Sequence, residues 1–120
     1  MNHYLLSVHS APGASCHNQA PEEMQASMKR IEALESEMKA ADVLYLSGRL
    51  SGPENATVVR AGEVELLTTD GPFVEAKEYI AGFYVLRAAD LDAALTWAGK
   101  VTECLGQPIE VRPFMGLMSF

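Results

Sequence analysis

The chain of 120 residues is 48% hydrophobic and 21% charged, a composition typical of one globular domain with a single core. Its formal net charge of −7 argues against nucleic acids and anionic membranes as partners, because both attract basic surfaces. No segment reaches the roughly 18 apolar residues of a membrane helix, and the opening residues MNHYLLSVHS lack the basic start of a signal peptide. We therefore expect one cytoplasmic domain over residues 1–120.

The first half of the chain predicts a strand, a helix and a second strand. Residues 3–8, HYLLSV, are typical of a short buried strand, and a loop rich in Gly, Pro, Ser and Asn follows. Pro21 suits the first turn of a helix that runs to about Ala41. Its apolar residues recur every three or four positions, as one face of a helix requires; they are Met24, Met28, Ile31, Leu34 and Met38. Residues 43–50 predict the next strand.

The second half begins with a hairpin, in which the segments ATVVR and EVELLTT flank a turn at Ala61-Gly62. Residues 79–87, YIAGFYVLR, are aromatic and β-branched and give the strongest strand signal. Asp90 is placed to cap a second helix, which ends at Gly99 or Gly106. Its predicted apolar stripe is Leu91, Ala94, Leu95 and Ala98. PIEVRPF predicts a last short strand, and residues 114–120 form an apolar tail.

This order predicts an α+β, ferredoxin-like fold, in which two β-α-β units are separated by an inserted hairpin. Both helices have one apolar face and should cover one side of the sheet. The strand 79–87 is nevertheless apolar on both faces under strict alternation, with Tyr79 and Phe83 on one and Tyr84 and Leu86 on the other. We therefore predict a homodimer that packs sheet against sheet, with a contribution from the tail.

Four ordered sequence blocks resemble a known family. They are ATVVR, TTDGPFVEAKEYIAGFYVL, DLDAALTWA and IEVRPF, and with them the chain resembles the YCII-related family in its DGPF-domain branch. The resemblance implies a dimeric α+β barrel with a cleft in each subunit. Most members have no assigned activity, but the wider family includes isomerase-like proteins and a dehydrochlorinase. The branch also occurs near sigma-factor-like regulators, which leaves a regulatory role open.

Asp70 opens the DGPF segment and admits two interpretations. An aspartate before Gly-Pro can accept backbone N–H groups and hold the turn. Alternatively, Asp70 acts as a general base in a partly apolar cleft walled by Phe73 and Phe83. In the second case Asp70 is a catalytic residue.

His9, at the end of the first strand, is the second catalytic candidate. The unperturbed pKa of histidine, about 6.5, suits proton transfer, and a strand end can line the mouth of a cleft. An ordinary histidine at a loop edge is the alternative. The resemblance does not extend to His9, because the DGPF branch is not associated with a histidine at this position.

Five further residues are predicted to bind a ligand: Arg49, Phe73, Lys77, Tyr79 and Phe83. Arginine offers a fixed fork of donors to an anion, and Lys77 offers a second cation near the DGPF segment. Tyr79 and Tyr84 alternate to opposite faces of their strand, so at most one of them is expected in a given pocket.

No motif in the sequence predicts a cofactor. The chain contains no phosphate-binding loop, no dinucleotide-binding fingerprint and no nucleophile elbow. Cys16, His17 and His9 do not have the spacing of metal ligands, and Cys104 is distant in sequence. We expect either a cofactor-free isomerase- or lyase-like enzyme acting on a small molecule by proton transfer, or a non-catalytic dimeric module that binds a small ligand or a regulator.

Overall fold

The computed structural model describes residues 2–10, 21–71 and 78–116. Within them lie six strands, two α-helices and one 3₁₀ helix, Pro53–Asn55. In chain order the main elements are β1 (Asn2–Ser10), α1 (Pro21–Ala40), β2 (Leu44–Arg49), β3 (Thr57–Ala61), β4 (Leu66–Asp70), β5 (Tyr79–Ala88), α2 (Leu91–Leu105) and β6 (Ile109–Pro113). The predicted order of elements is confirmed for the described residues.

Four strands form the main sheet in the order β2-β5-β1-β6, and every neighbouring pair is antiparallel. Each helix connects two strands that are not neighbours in this sheet, which gives two split β-α-β units. The arrangement confirms the α+β class and is compatible with a ferredoxin-like fold. The hairpin β3–β4 forms a separate two-stranded sheet.

The core lies between one face of the sheet and the two helices. On the sheet side it contains Tyr4, Leu6, Val8, Tyr84, Leu86 and Ala88, and on the helix side Ile31, Leu34, Met38, Ala94, Ala98 and Val101. Alternate residues of β1 and β5 enter this core because side chains alternate across a strand. The predicted apolar face of α1 is confirmed from Ile31 to Met38.

Three apolar residues that the sequence assigned to helix faces lie at the surface. Met28, Leu91 and Leu95 are exposed, and the buried face of α2 continues through Ala98 to Val101 instead. Helical periodicity gives the direction in which a side chain points, but not whether another element covers it. Leu91 and Leu95 therefore share helical spacing with Ala94 and Ala98 without sharing their burial.

The start of α2 matches the sequence prediction, and of the two predicted ends, Gly99 and Gly106, the structure has Gly106. Asp90 has extended backbone angles, and its Oδ1 accepts a hydrogen bond of 2.9 Å from the Ala93 N–H. Gly106 ends the helix in the left-handed conformation, with φ 68°. The carboxylate satisfies one of the N–H groups that have no partner in the first turn.

The hairpin turn is longer than predicted. β3 ends at Ala61 and β4 starts at Leu66, so residues 62–65 form the connection. The Gly62 N–H donates to the Glu65 carbonyl at 2.8 Å and closes this turn. Among the described helices, none is long and apolar enough to cross a membrane.

Candidate functional site

A cleft of ≈ 340 Å³ opens between the helices and one end of the main sheet. Its walls come from the end of β1, the middle of α1, the end of β2 with the segment after it, the first half of β5 and the end of α2. The volume is at the small end of the range for ligand pockets in proteins. The cleft therefore has room for a small molecule.

Most of the wall is apolar. Val8 and Ile31 belong to the buried core. Met28, Leu50 and Leu105 extend the wall toward the surface. The exposure of Met28 has its structural reason here, since this side chain lines an open space instead of another element. Such a wall binds the apolar body of a ligand through area removed from water.

Arg49 places a positive charge at the cleft. It is the last residue of β2 and pairs with Gly82, so it lies on the helix-covered face of the sheet. Within the described part of the chain Arg49 forms no salt bridge and no side-chain hydrogen bond. Arg49 is exposed, and its guanidinium, which has no partner among the described residues, offers a fork of donors to an anionic ligand.

Tyr84 brings a hydroxyl group to the same cleft. Its Oη donates a hydrogen bond of 3.1 Å to Oε1 of Glu35 on α1. Burial raises the pKa of the Tyr84 hydroxyl, and the neighbouring Glu35 carboxylate raises this pKa further, while the charge of Arg49 acts in the opposite direction. The phenol is therefore neutral at physiological pH, and its proton is engaged by Glu35.

A second polar group of the cleft, the Ser10 hydroxyl, lies at the end of β1. The Gln107 side-chain amide donates to Ser10 Oγ at 2.5 Å, and Thr102 Oγ1 donates to the Gln107 carbonyl at 2.6 Å. Ser10 is buried, and both Ser10 and Gln107 line the cleft. These bonds connect the segment after α2 to β1 and fix the position of the Ser10 hydroxyl.

A β-bulge places Tyr79 in the cleft beside Tyr84. Val8 pairs with Gly82, but the next residue, His9, pairs with Ile80, so Ala81 is an extra residue on β5. Such an insertion reverses the alternation of the residues beyond it. The sequence-based expectation that at most one of Tyr79 and Tyr84 lines a given pocket is therefore wrong, because both line this cleft.

Comparison with known proteins places the chain in a family. The family model of the YCII-related domain matches residues 3–104. The chain belongs to the YCII-related family. It is also similar to an uncharacterized protein of Rhizobium meliloti (strain 1021), with 35% identity over 94 residues that cover 77% of this chain and 76% of the relative. Membership in the DGPF branch rests on the motif and stays a prediction.

The two predicted catalytic residues do not line the cleft. Asp70 is exposed at the end of β4, where it pairs with Thr57 in the hairpin sheet. Gly71 follows with φ 94° and donates its N–H to the Ala56 carbonyl at 2.6 Å. This backbone conformation favours glycine and accounts for Gly71 by the geometry of the chain alone.

His9 lies on the sheet face that the helices leave open, because Val8 before it and Ser10 after it point to the helix side. Its Nε2 is 3.0 Å from Ser7 Oγ, and the two side chains are hydrogen-bonded. His9 and Asp70 thus occupy different sheets, and their catalytic roles stay predictions.

The five predicted ligand-binding residues divide into two groups. Arg49, Tyr79 and Phe83 line the cleft, whereas Phe73 and Lys77 lie outside the described residues. Cys16 and His17 also lie outside them. In the described part of the chain no three His, Cys, Asp or Glu side chains are grouped as metal ligands. Ligand binding by the three placed residues stays a prediction.

Sequence reasoning did not find Glu35, Ser10 or Gln107. Glu35 follows Leu34 on α1 and has the local pattern of an ordinary surface carboxylate. Ser10 and Gln107 are 97 residues apart, and neither belongs to a motif. No local signal distinguishes them, because each acquires its role from a contact made in the folded chain.

Proposed function

We propose that the protein binds a small, partly apolar carboxylic acid in the cleft between its helices and sheet. The supporting observation is Arg49, a guanidinium without an ion pair in the described structure, at the side of an otherwise mostly apolar cleft. Arg49 is itself exposed, so solvent screens part of its attraction for a bound carboxylate, and the bidentate geometry of an arginine–carboxylate pair supplies the specificity. The apolar wall supplies affinity for the rest of the ligand.

A matched pair of ligands tests this function. Phenylacetate and its neutral amide have nearly the same shape and differ in charge. We expect phenylacetate to raise the melting temperature of the protein more than the amide does, because only the carboxylate attracts Arg49. Arg49→Gln should remove this preference.

Arg112→Gln is the control, since it removes the same charge from an exposed arginine on β6 that does not line the cleft. It should keep the preference of the wild type for phenylacetate. Equal stabilisation of the wild type by the acid and the amide, or an unchanged preference in Arg49→Gln, would contradict the proposed function.

We also propose that the working form is a homodimer. The hairpin carries apolar side chains that are largely exposed, with Leu66 71% and Val59 60% accessible. A two-stranded hairpin is marginally stable by itself. The radius of gyration of 16.5 Å exceeds the value of about 14 Å expected for 120 residues. A second copy that covers the hairpin and the open sheet face would bury these groups.

Light scattering after gel filtration measures the oligomer directly. We expect twice the chain mass of 13.0 kDa. Leu66→Lys should shift the protein toward the monomer, whereas Leu95→Lys, an equally drastic change at an exposed site of α2, should not. A wild type that is monomeric at all concentrations would exclude the homodimer.

Proton transfer by His9 and Asp70 on a small lactone or acid is the second candidate function. The observation in its favour is the Ser7–His9 hydrogen bond, which orients the imidazole and fixes which ring nitrogen is free. If it is correct, the protein accelerates exchange of carbon-bound protons for deuterium in a lactone panel, and His9→Gln and Asp70→Asn abolish the exchange. Absence of exchange with the wild type across the panel would exclude this candidate.

A further inference from the structure

The hydrogen bond from Tyr84 to Glu35 determines what Tyr84 offers to a ligand. A phenol has one proton, and that of Tyr84 is donated to the Glu35 carboxylate over 3.1 Å. A carboxylate accepts hydrogen bonds and does not donate them. The Tyr84 oxygen therefore has only its lone pairs available toward the cleft, and the ligand group that meets it must be a donor.

Arg49 and Tyr84 lie close to each other on the cleft wall. Arg49 pairs with Gly82, and Tyr84 is two residues further along β5 on the same face. Such diagonal neighbours on antiparallel strands are about 7–8 Å apart at Cα, within reach of long side chains. The charge of Arg49 accordingly acts on the Tyr84 hydroxyl. One small ligand can therefore reach both side chains, with an anionic group toward Arg49 and a donor group toward Tyr84.

Ser10 offers a ligand a hydrogen-bond donor, whereas Tyr84 offers an acceptor. Ser10 Oγ accepts from the Gln107 amide, so the hydroxyl proton of Ser10 is not used in this bond and is available to an acceptor on a ligand. Tyr84 thus offers an acceptor to the cleft, and Ser10 and Arg49 offer donors; Ser27, Ser51, Tyr79 and Gln107 are the other polar side chains of its wall. A ligand complementary to all three has several acceptor oxygens and one donor.

We propose that the ligand of the cleft is a small hydroxycarboxylic acid with an apolar body, whose carboxylate binds Arg49 and whose hydroxyl donates to Tyr84 Oη. This inference rests on the proposed carboxylate-binding function and adds to it the position and the polarity of a second group. We place the hydroxyl on the carbon next to the carboxyl group or one carbon further, because Arg49 and Tyr84 are diagonal neighbours on adjacent strands. The apolar body lies against Val8, Met28 and Ile31.

Isothermal titration with mandelate and phenylacetate tests the inference, because the two acids differ only in the hydroxyl at carbon 2. We expect mandelate to bind the wild type roughly three- to tenfold more tightly, the usual effect of one additional hydrogen bond. Tyr84→Phe should bind both acids with equal affinity, close to that of phenylacetate for the wild type.

A second variant changes the Tyr84 hydroxyl from an acceptor to a donor toward the ligand, instead of removing the hydroxyl. In Glu35→Ala the Tyr84 proton is no longer engaged and becomes available to the cleft. The oxo acid phenylglyoxylate has an acceptor where mandelate has a donor. The preference of the wild type for mandelate over phenylglyoxylate should therefore fall or reverse in Glu35→Ala. Circular dichroism spectra of both variants establish that they are folded.

The outcomes separate the inference from the proposed function. Equal affinities of the wild type for mandelate and phenylacetate overturn the hydroxy-acid inference and leave carboxylate binding intact. A preference for mandelate that persists in Tyr84→Phe also overturns it. Absence of binding by all three acids overturns the proposed function and the inference with it.

Discussion

Tyr84 Oη donates to Glu35 Oε1 over 3.1 Å and connects the middle of β5 to α1 across 49 residues of sequence. The bond joins a buried aromatic ring in the core to a partly exposed carboxylate on α1. The bond holds α1 against the main sheet beside the cleft, which Tyr84 lines. The same hydrogen bond therefore stabilises the fold and sets the acceptor that Tyr84 offers to the proposed ligand.

Removing the Tyr84 hydroxyl should lower the stability of the protein. Tyr84→Phe keeps the ring in the core but eliminates the bond to Glu35, and we expect a loss of about 1 kcal/mol in the free energy of unfolding. Urea denaturation measures the change. Tyr4→Phe is the matched control, since Tyr4 is equally buried and its hydroxyl makes no hydrogen bond within the described residues. Equal losses in the two variants would refute the assigned contribution.

Alkaline pH should destabilise the wild type more than Tyr84→Phe. The pKa of the Tyr84 hydroxyl is raised in the folded state by burial and by Glu35, above the value of about 10 in an unfolded chain. Below pH ~10 both states bind the proton and stability does not depend on this group. Above it the unfolded state releases the proton first, so stability falls as pH rises.

Urea denaturation curves from roughly pH 8 to pH 11 check this dependence. The other tyrosines of the four in the chain are common to both proteins and cancel in the comparison. The midpoint of the wild type should fall more steeply above pH ~10 than that of Tyr84→Phe. Parallel curves would show that Tyr84 does not have a raised pKa.

Two glycine-to-alanine substitutions should change stability in opposite directions. At Gly82 a Cβ would lie 2.9 Å from the Gly48 carbonyl oxygen on the neighbouring strand. Because backbone must move to relieve this contact, we expect Gly82→Ala to cost about 1–3 kcal/mol. At Gly99, inside α2, a Cβ meets no atom within 4 Å. Gly99→Ala should stabilise by about 0.5–1 kcal/mol.

Thermal unfolding distinguishes the two glycine variants, since their melting temperatures should move to opposite sides of the wild type. A stabilised Gly82→Ala would mean that β2 and β5 are less closely packed than the structure indicates. Gly82 also lines the cleft, so this variant should weaken binding of phenylacetate, whereas Gly99→Ala should not affect it.

The cap of α2 provides the fourth prediction. Asp90→Ala removes the acceptor of the Ala93 N–H and should cost about 1 kcal/mol. Asp92→Ala removes a carboxylate from the same helix turn, but one that accepts no hydrogen bond within the described structure. Asp92→Ala should lower the free energy of unfolding by only about 0.3 kcal/mol. Chemical denaturation of both variants gives the comparison, and similar losses would assign the effect to charge rather than to the cap.

The sequence by itself determined the order of the elements and the features that depend on near neighbours. The apolar spacing of Ile31, Leu34 and Met38 and the cap at Asp90 could be predicted because each is encoded within a few residues. The sequence left the end of α2 open between Gly99 and Gly106, and the structure has it at Gly106. Arg49 was selected as a ligand-binding candidate for the chemistry of its side chain, and the structure places it at the cleft.

Tertiary structure decided which residues meet in the cleft. The extra residue Ala81 depends on how β1 pairs with β5, and one inserted residue transfers Tyr79 to the face of Tyr84. The bonds from Tyr84 to Glu35 and from Gln107 to Ser10 join segments 49 and 97 residues apart. Periodicity specifies the faces of single elements, whereas register and contacts between distant elements are settled by the packing of the whole core.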